Sequence, residues 1–122
     1  MELNKLTEKI IGCCIEVHKN LGPGLLETIY EAALCIELKN HGLKFERQKP
    51  LPVNYKNETI GEFRIDLLVE DAVVLELKSV ERMDPLFEAQ LLSYMKLGEF
   101  KLGLLINFNS RLMKEGVKRF II

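Results

Sequence analysis

Cysteine, proline, glycine and tryptophan are all scarce in this chain of 122 residues, which has 3 Cys, 4 Pro, 8 Gly and no Trp. Cys13 and Cys14 are adjacent and Cys35 stands alone, so neither a zinc ligand set nor a disulfide framework can be written. We interpret the cysteines as small buried side chains in a reducing compartment. With 48% hydrophobic residues, the low proline and glycine content also excludes a fibrous or disordered chain.

An excess of one charge is missing too, because 17 Lys and Arg stand against 18 Asp and Glu. This balance excludes a strongly basic nucleic-acid tail and an acidic tail. No apolar run reaches the length of about 18 residues that a membrane span needs, and residues 1–9 lack the apolar core of a signal peptide. We therefore expect one cytoplasmic domain spanning residues 1–122, without membrane contact.

The nearly neutral net charge conceals an uneven distribution of charged residues along the chain. Residues 1–38 carry six acidic and three basic side chains, whereas residues 101–122 carry five basic and one acidic. The C-terminal segment is therefore the most basic part of the chain, although its basic residues alone would also suit a solvated surface.

Hydrophobic periodicity divides the chain into helices and strands. Apolar residues at steps of three and four predict helices, and shorter apolar or alternating runs bounded by Pro, Gly, Asn or Asp predict strands. The helices are predicted at residues 3–19, 25–40 and 86–97, and the strands at residues 43–49, 51–55, 59–69, 73–80, 101–108 and 116–122.

The order of these elements predicts the sheet. The helix at 86–97 separates the strands at 73–80 and 101–108, and such a crossover makes the two strands parallel. The remaining neighbours are close enough in sequence to form antiparallel hairpins. We predict an α/β (α+β) fold, with a central mixed β-sheet flanked by helices and two helices at the N-terminus.

Charged residues interrupt two of the apolar strands. Asp66 lies within residues 63–69, and Glu76 and Lys78 lie within residues 73–79. Since side chains alternate along a strand, Glu76 and Lys78 face the same side of the sheet. A buried carboxylate is costly unless it is paired or coordinates a metal, so these three residues form a candidate site.

The loop between the two strands decides whether Asp66 joins Glu76. A two-residue turn at 70–71 would place them on opposite faces, whereas a three-residue loop at 70–72 places them directly opposite one another. Opposed Cβ atoms are about 5 Å apart, close enough for both carboxylates to bind one divalent cation. We predict the odd-length loop or a compensating bulge.

Glu76-x-Lys78 alone is a short pattern that an ordinary ion pair on a strand also explains. The arrangement of Asp66 on one strand, Glu76-x-Lys78 on the next and then a helix is more restrictive. It resembles the PD-(D/E)XK nuclease superfamily, and the resemblance implies a restriction-endonuclease-like core.

Two further motifs support the resemblance. Gln90 and Tyr94 share a helix face and look like the Gln-x-x-x-Tyr motif of RecB-like nucleases, although such a pair is also common on ordinary helix surfaces. Residues 24–30, Gly-Leu-Leu-Glu-Thr-Ile-Tyr, match the signature of the GxxExxY family. One position departs from that family, because Phe87 stands where a histidine is expected.

The resemblance implies roles for individual residues. Glu27 is explained equally well as a favourable charge in the first turn of a helix, but in the family context it supplies a further carboxylate. The catalytic residues implied are Asp66, Glu76, Lys78 and Gln90. The ligands of Mg²⁺ or Mn²⁺ implied are Glu27, Asp66, Glu76 and the carbonyl of Leu77. The substrate contacts suggested are Tyr30, Tyr94, Lys118 and Arg119.

The resulting hypothesis is metal-dependent hydrolysis of phosphodiester bonds in DNA. Two alternatives stay open: a catalytically inactive nuclease-fold module that binds nucleic acid or a partner protein, and a small interaction domain with buried ion pairs. Because the chain is small and nearly neutral, we expect it to hold DNA weakly without metal, a second subunit as homodimer, or a partner protein.

Overall fold

The computed structural model describes residues 1–122 and contains four helices and five strands. Their bounds are α1 Leu3–Leu21, α2 Glu27–Asn40, β1 Phe45–Tyr55, β2 Glu58–Val69, β3 Val73–Lys78, α3 Pro85–Gly98, β4 Leu102–Asn107, α4 Met113–Gly116 and β5 Val117–Ile121. The short helix α4 was not predicted.

Helix α1 follows its apolar periodicity and ends at Leu21, two residues later than predicted. Leu6, Ile10 and Val17 are buried along one face, and Gly22 closes the helix with φ at 70°. Glycine adopts this left-handed conformation without steric cost, so the chain can turn sharply towards α2. Helix α2 starts at Glu27, two residues later than predicted.

The five strands form one mixed sheet in the order β1-β2-β3-β4-β5. Strands β3 and β4 are parallel and α3 connects them, while the other three neighbouring pairs are antiparallel. The predicted mixed sheet with flanking helices is therefore confirmed.

The prediction of two strands separated by Pro50 was wrong. A single strand, β1, runs from Phe45 to Tyr55, and Pro50 is paired with Arg64. β1 lies at the edge of the sheet, where one side of the strand has no hydrogen-bonded neighbour and proline is tolerated.

Each side of the sheet carries its own apolar core. One core packs the sheet against α1 and α2, and the other packs it against α3. Gly103 of β4 allows α3 to approach closely, because a Cβ there would lie 2.6 Å from Met95 Sδ. All three cysteines are free, and burial raises the pKa of each thiol. Cys13 and Cys14 are buried as predicted, whereas Cys35 is only partly buried.

No helix is both long enough and apolar enough to cross a membrane.

Candidate active site

Asp66 and Glu76 meet where strands β2 and β3 separate. The paired residues run from Val69–Val73 to Leu67–Leu75, so three residues, Glu70, Asp71 and Ala72, form the connecting loop as predicted. The next position along each strand is Asp66 and Glu76. The odd loop length therefore brings the two acidic residues together.

Side chains replace the backbone ladder at this point. The Asp66 N–H donates to Glu76 Oε2 at 2.9 Å, and the Leu77 N–H donates to Asp66 Oδ2 at 2.9 Å. Each carboxylate thus accepts a hydrogen bond from the opposite strand. The two side chains are held in place by the backbone of the sheet.

Strands β1 and β2 both rotate beside this pair. Along β2, Leu67 packs on the α1–α2 side, yet Ile65, two residues away, packs on the α3 side. The β1–β2 ladder correspondingly skips from Arg47–Leu67 to Lys49–Ile65. Beyond the pair, Leu51 and Ile65 of the hairpin therefore pack on the α3 side of the sheet.

Burial makes the acidic pair unusually hard to ionise. Glu76 is only 6% exposed, and desolvation, followed by the charge of Asp66, raises its pKa to about 8. Desolvation also raises the pKa of Asp66. Neither carboxylate takes part in any of the ion pairs of the chain. The pair thus lacks a counter-charge in direct contact.

Lys78 lies two residues beyond Glu76 on β3, and its Nζ is 4.4 Å from the centroid of the Phe87 ring. This distance is within the range of a cation–π contact. Phe87, at the start of α3, therefore contacts the lysine of the predicted site directly.

Helix α3 brings Tyr94, but not Gln90, into a buried position. Tyr94 is 9% exposed, and burial, followed by the charges of Glu76 and Asp66, raises its pKa. Its ring lies 5.0 Å from that of Phe63 on β2. Gln90 is exposed to solvent. Tyr94 is thus the residue of this motif that lies near the acidic pair.

Glu27 does not complete a three-carboxylate group with Asp66 and Glu76, because no three His, Cys, Asp or Glu side chains are grouped closely enough to hold a metal ion. It is exposed on the first turn of α2, and its charge is a minor contribution to the raised pKa of Glu76. Helix geometry places it near the site without bringing it into the pair.

The structure corrects the role suggested for Tyr30. Its side chain is fully buried and stacks on Phe108 at 4.6 Å between ring centroids. The hydroxyl donates to the Gly22 carbonyl at 2.5 Å and accepts from the Leu25 N–H at 3.1 Å. Tyr30 fixes the loop between α1 and α2 and has no surface for a substrate.

Lys118 and Arg119, both suggested as substrate contacts, lie on β5 and bind different neighbours. Lys118 Nζ pairs with Glu88 of α3 at 2.8 Å, whereas Arg119 Nη2 donates to Asn4 of α1 at 2.6 Å. Consecutive residues of β5 point to opposite sides of the sheet, so the two charged side chains lie on different sides of it.

Two residues near the pair were missed by the sequence analysis. Gln48 donates from Nε2 to Asp66 Oδ1 at 3.3 Å and to Glu31 Oε1 at 2.7 Å, and Glu31 is only 7% exposed. The spacing of Glu27 and Glu31, four apart on α2, was an available signal for Glu31. Nothing in the sequence marked Gln48.

A mixed sheet that brings an aspartate, a glutamate and a lysine together where two antiparallel strands separate, before a crossover helix, defines a restriction-endonuclease-like core. A family model of the PD-(D/E)XK nuclease superfamily matches residues 4–120. The chain therefore belongs to the PD-(D/E)XK nuclease superfamily. Searches of curated proteins and of solved structures found no match.

Proposed function

We propose that this protein is a metal-dependent nuclease that hydrolyses phosphodiester bonds in DNA. The observation that carries the proposal is the pair of Asp66, partly buried, and Glu76, buried, which the backbone of two strands holds, with Lys78 two residues further along β3. Membership of the superfamily supports a nuclease-like activity. The identity of the metal and of the substrate is the part we infer.

The residues present suit a divalent cation. The buried Glu76 and the partly buried Asp66 have raised pKa values and no ion-pair partner, so a positive charge between them would stabilise both carboxylates. Hard cations such as Mg²⁺ and Mn²⁺ prefer oxygen ligands, which Asp66, Glu76 and the carbonyl of Leu77 would supply. When bound, the cation would lower the pKa of a water molecule and polarise the scissile phosphate.

The chain's own groups would divide the remaining work. The Lys78 ammonium would orient the attacking water or offset negative charge that develops on the phosphate. Tyr94 would contact the substrate beside the acidic pair, and the exposed Gln90 would contact it one turn earlier on α3. Glu27 would add negative charge from the start of α2.

We further assign the chain to the GxxExxY family and to the RecB-like branch of the superfamily. The first assignment is supported by the Gly24, Glu27 and Tyr30 signature. The second is supported by Gln90 and Tyr94 on α3. Phe87 remains the departure from the family pattern.

Binding of DNA is expected to need help. The formal charge of the chain is −1, and Lys118 and Arg119 lie on different sides of the sheet. With few phosphate contacts available, affinity should be low and should fall as salt rises. A homodimer or a partner protein would supply the missing contacts.

The proposal is tested with labelled single-stranded, double-stranded and branched DNA in the presence of Mg²⁺ or Mn²⁺. We expect cleavage by the wild type, abolition by chelator, and a loss of at least about a hundredfold in Asp66→Asn and Lys78→Met. Glu58→Gln, at the far end of the β1–β2 hairpin, is the matched control and should cleave like the wild type.

Two outcomes would contradict the proposal. Equal cleavage by the wild type and both variants would show a contaminating nuclease. Absence of cleavage on every substrate, together with Mn²⁺ binding measured by calorimetry, would instead support a nuclease-fold module without catalytic activity.

A further inference from the structure

Gln48 connects helix α2 to the acidic pair. Its Nε2 donates both to Glu31 Oε1 at 2.7 Å and to Asp66 Oδ1 at 3.3 Å. A side-chain amide nitrogen carries two hydrogens, and both contacts use this nitrogen. The amide thus forms a bridge between a helix carboxylate and Asp66.

Glu31 determines which way the amide faces. A carboxylate only accepts hydrogen bonds, so the nitrogen of Gln48, not its oxygen, must face Glu31. The same nitrogen then meets Asp66. Glu31 is almost fully buried, so its orientation is itself fixed by the surrounding packing.

Glu31 also forms an ion pair with Arg47 of β1. Its Oε2 accepts a hydrogen bond from Arg47 Nε at 2.7 Å. An arginine paired with Asp66 would neutralise that carboxylate and compete with a metal ion. The neutral amide of Gln48 orients Asp66 without supplying a charge.

The backbone of Gln48 is unusual at this position. Its φ is 52°, in the left-handed region, and the β1–β2 ladder lacks the pair that Gln48 would form with Asp66. For a residue with a Cβ this conformation costs about 1 kcal/mol. Strained backbone of this kind tends to occur where the surrounding structure imposes it, often at functional sites.

We propose that Gln48 and Glu31 are positioning residues of the metal site: Gln48 orients the Asp66 carboxylate towards the cation, and Glu31 fixes the Gln48 amide while keeping Arg47 away from Asp66. This inference rests on the proposed function, because it assigns the two residues to the same metal. Neither residue touches the substrate or the cation. Both act through Asp66.

The test is a calorimetric titration of Mn²⁺ into the wild type and four variants. Gln48→Met keeps the side-chain length but removes the donor, and Gln48→Gly removes the donor while relieving the left-handed strain. Glu31→Gln removes the negative charge that binds Arg47. Asn57→Gly is the matched control. Asn57 lies in the turn of the same hairpin, carries a side-chain amide and also has a left-handed backbone, with φ at 68°.

We expect the dissociation constant for Mn²⁺ to rise about tenfold in both Gln48 variants and in Glu31→Gln. It should be unchanged in Asn57→Gly. Because the Gln48 side chain is exposed, the metal-free melting temperature of Gln48→Met should stay close to that of the wild type, whereas relief of the left-handed strain should raise that of Gln48→Gly. Excess Mn²⁺ should restore their cleavage rate, which a merely structural defect would not allow.

Wild-type affinity in both Gln48 variants would overturn this inference alone and leave the proposed function standing. A wild type that shows no Mn²⁺ binding would overturn the proposed function and this inference with it. If Glu31→Gln lowers the melting temperature, the Mn²⁺ dissociation constants of the two Gln48 variants decide whether the inference holds.

Discussion

Glu76 Oε2 accepts a hydrogen bond from the backbone N–H of Asp66 at 2.9 Å, in the place where a regular antiparallel pair would use a carbonyl oxygen. In turn, Asp66 Oδ2 accepts a hydrogen bond from the backbone N–H of Leu77. The backbone of the sheet therefore fixes the geometry of the acidic pair. Because ionising this pair is unfavourable, its ionisation lowers the free energy of unfolding of the protein.

The first prediction concerns pH. The pKa of Glu76 is raised from 4.5 to about 8 in the folded protein, mainly by desolvation. Between these values the unfolded chain releases a proton that the folded chain keeps, so the free energy of unfolding decreases as pH rises through this range. Chemical denaturation of the metal-free protein from pH 4.5 to 8.5 measures it. Glu76→Gln should be less dependent on pH and more stable than the wild type at pH 8; a parallel dependence would contradict the assignment.

The second prediction concerns the metal. A cation that binds the folded state alone stabilises it by about 2.7 kcal/mol at a concentration one hundred times its dissociation constant. At pH 8.5, saturating Mn²⁺ should therefore raise the melting temperature of the wild type by several degrees, and should have little effect on Glu76→Gln. An equal rise in both proteins would place the bound ion elsewhere.

The third prediction concerns Phe87, which lies against Lys78 Nζ. Phe87→Leu keeps an apolar side chain but removes the aromatic ring, so Lys78 loses about 0.5 to 1 kcal/mol of cation–π attraction. If Lys78 acts in cleavage, the single-turnover rate at saturating metal should fall by roughly two- to fivefold. Phe87→Tyr retains the ring and serves as control. Identical rates in all three proteins would show that the contact has no part in catalysis.

The fourth prediction follows from the corrected role of Tyr30. Tyr30→Phe keeps the stack on Phe108 but leaves the Gly22 carbonyl and the Leu25 N–H without their hydroxyl partner. The free energy of unfolding should fall by about 1 to 2 kcal/mol, with Mn²⁺ affinity unchanged. Denaturant titration and calorimetry measure the two quantities. Weakened substrate binding in a variant of full stability would restore the discarded role.

The central part of the site could be predicted because it depends on local rules. Strand alternation and an odd loop length were enough to place Asp66 next to Glu76. One crossover helix was enough to predict that β3 and β4 are parallel. The same alternation separates Lys118 from Arg119 on the last strand.

The remaining features depend on contacts distant in sequence. Pro50 reads as a strand break unless the position of β1 at the sheet edge is known. Gln48 adopts a conformation that its residue type does not favour, and its partners lie 17 and 18 positions away. Local propensity carries no information about such a bridge.

The place where β2 and β3 separate also contains two backbone amides that can be followed by NMR spectroscopy. The amide protons of Asp66 and Leu77 are donated to carboxylate oxygens, whereas the amides of a regular ladder are donated to carbonyls. Their chemical shifts and hydrogen-exchange rates therefore respond to the protonation of the acidic pair. The amide signals of Asp66 and Leu77 can therefore report the charge state of the site in the absence of substrate.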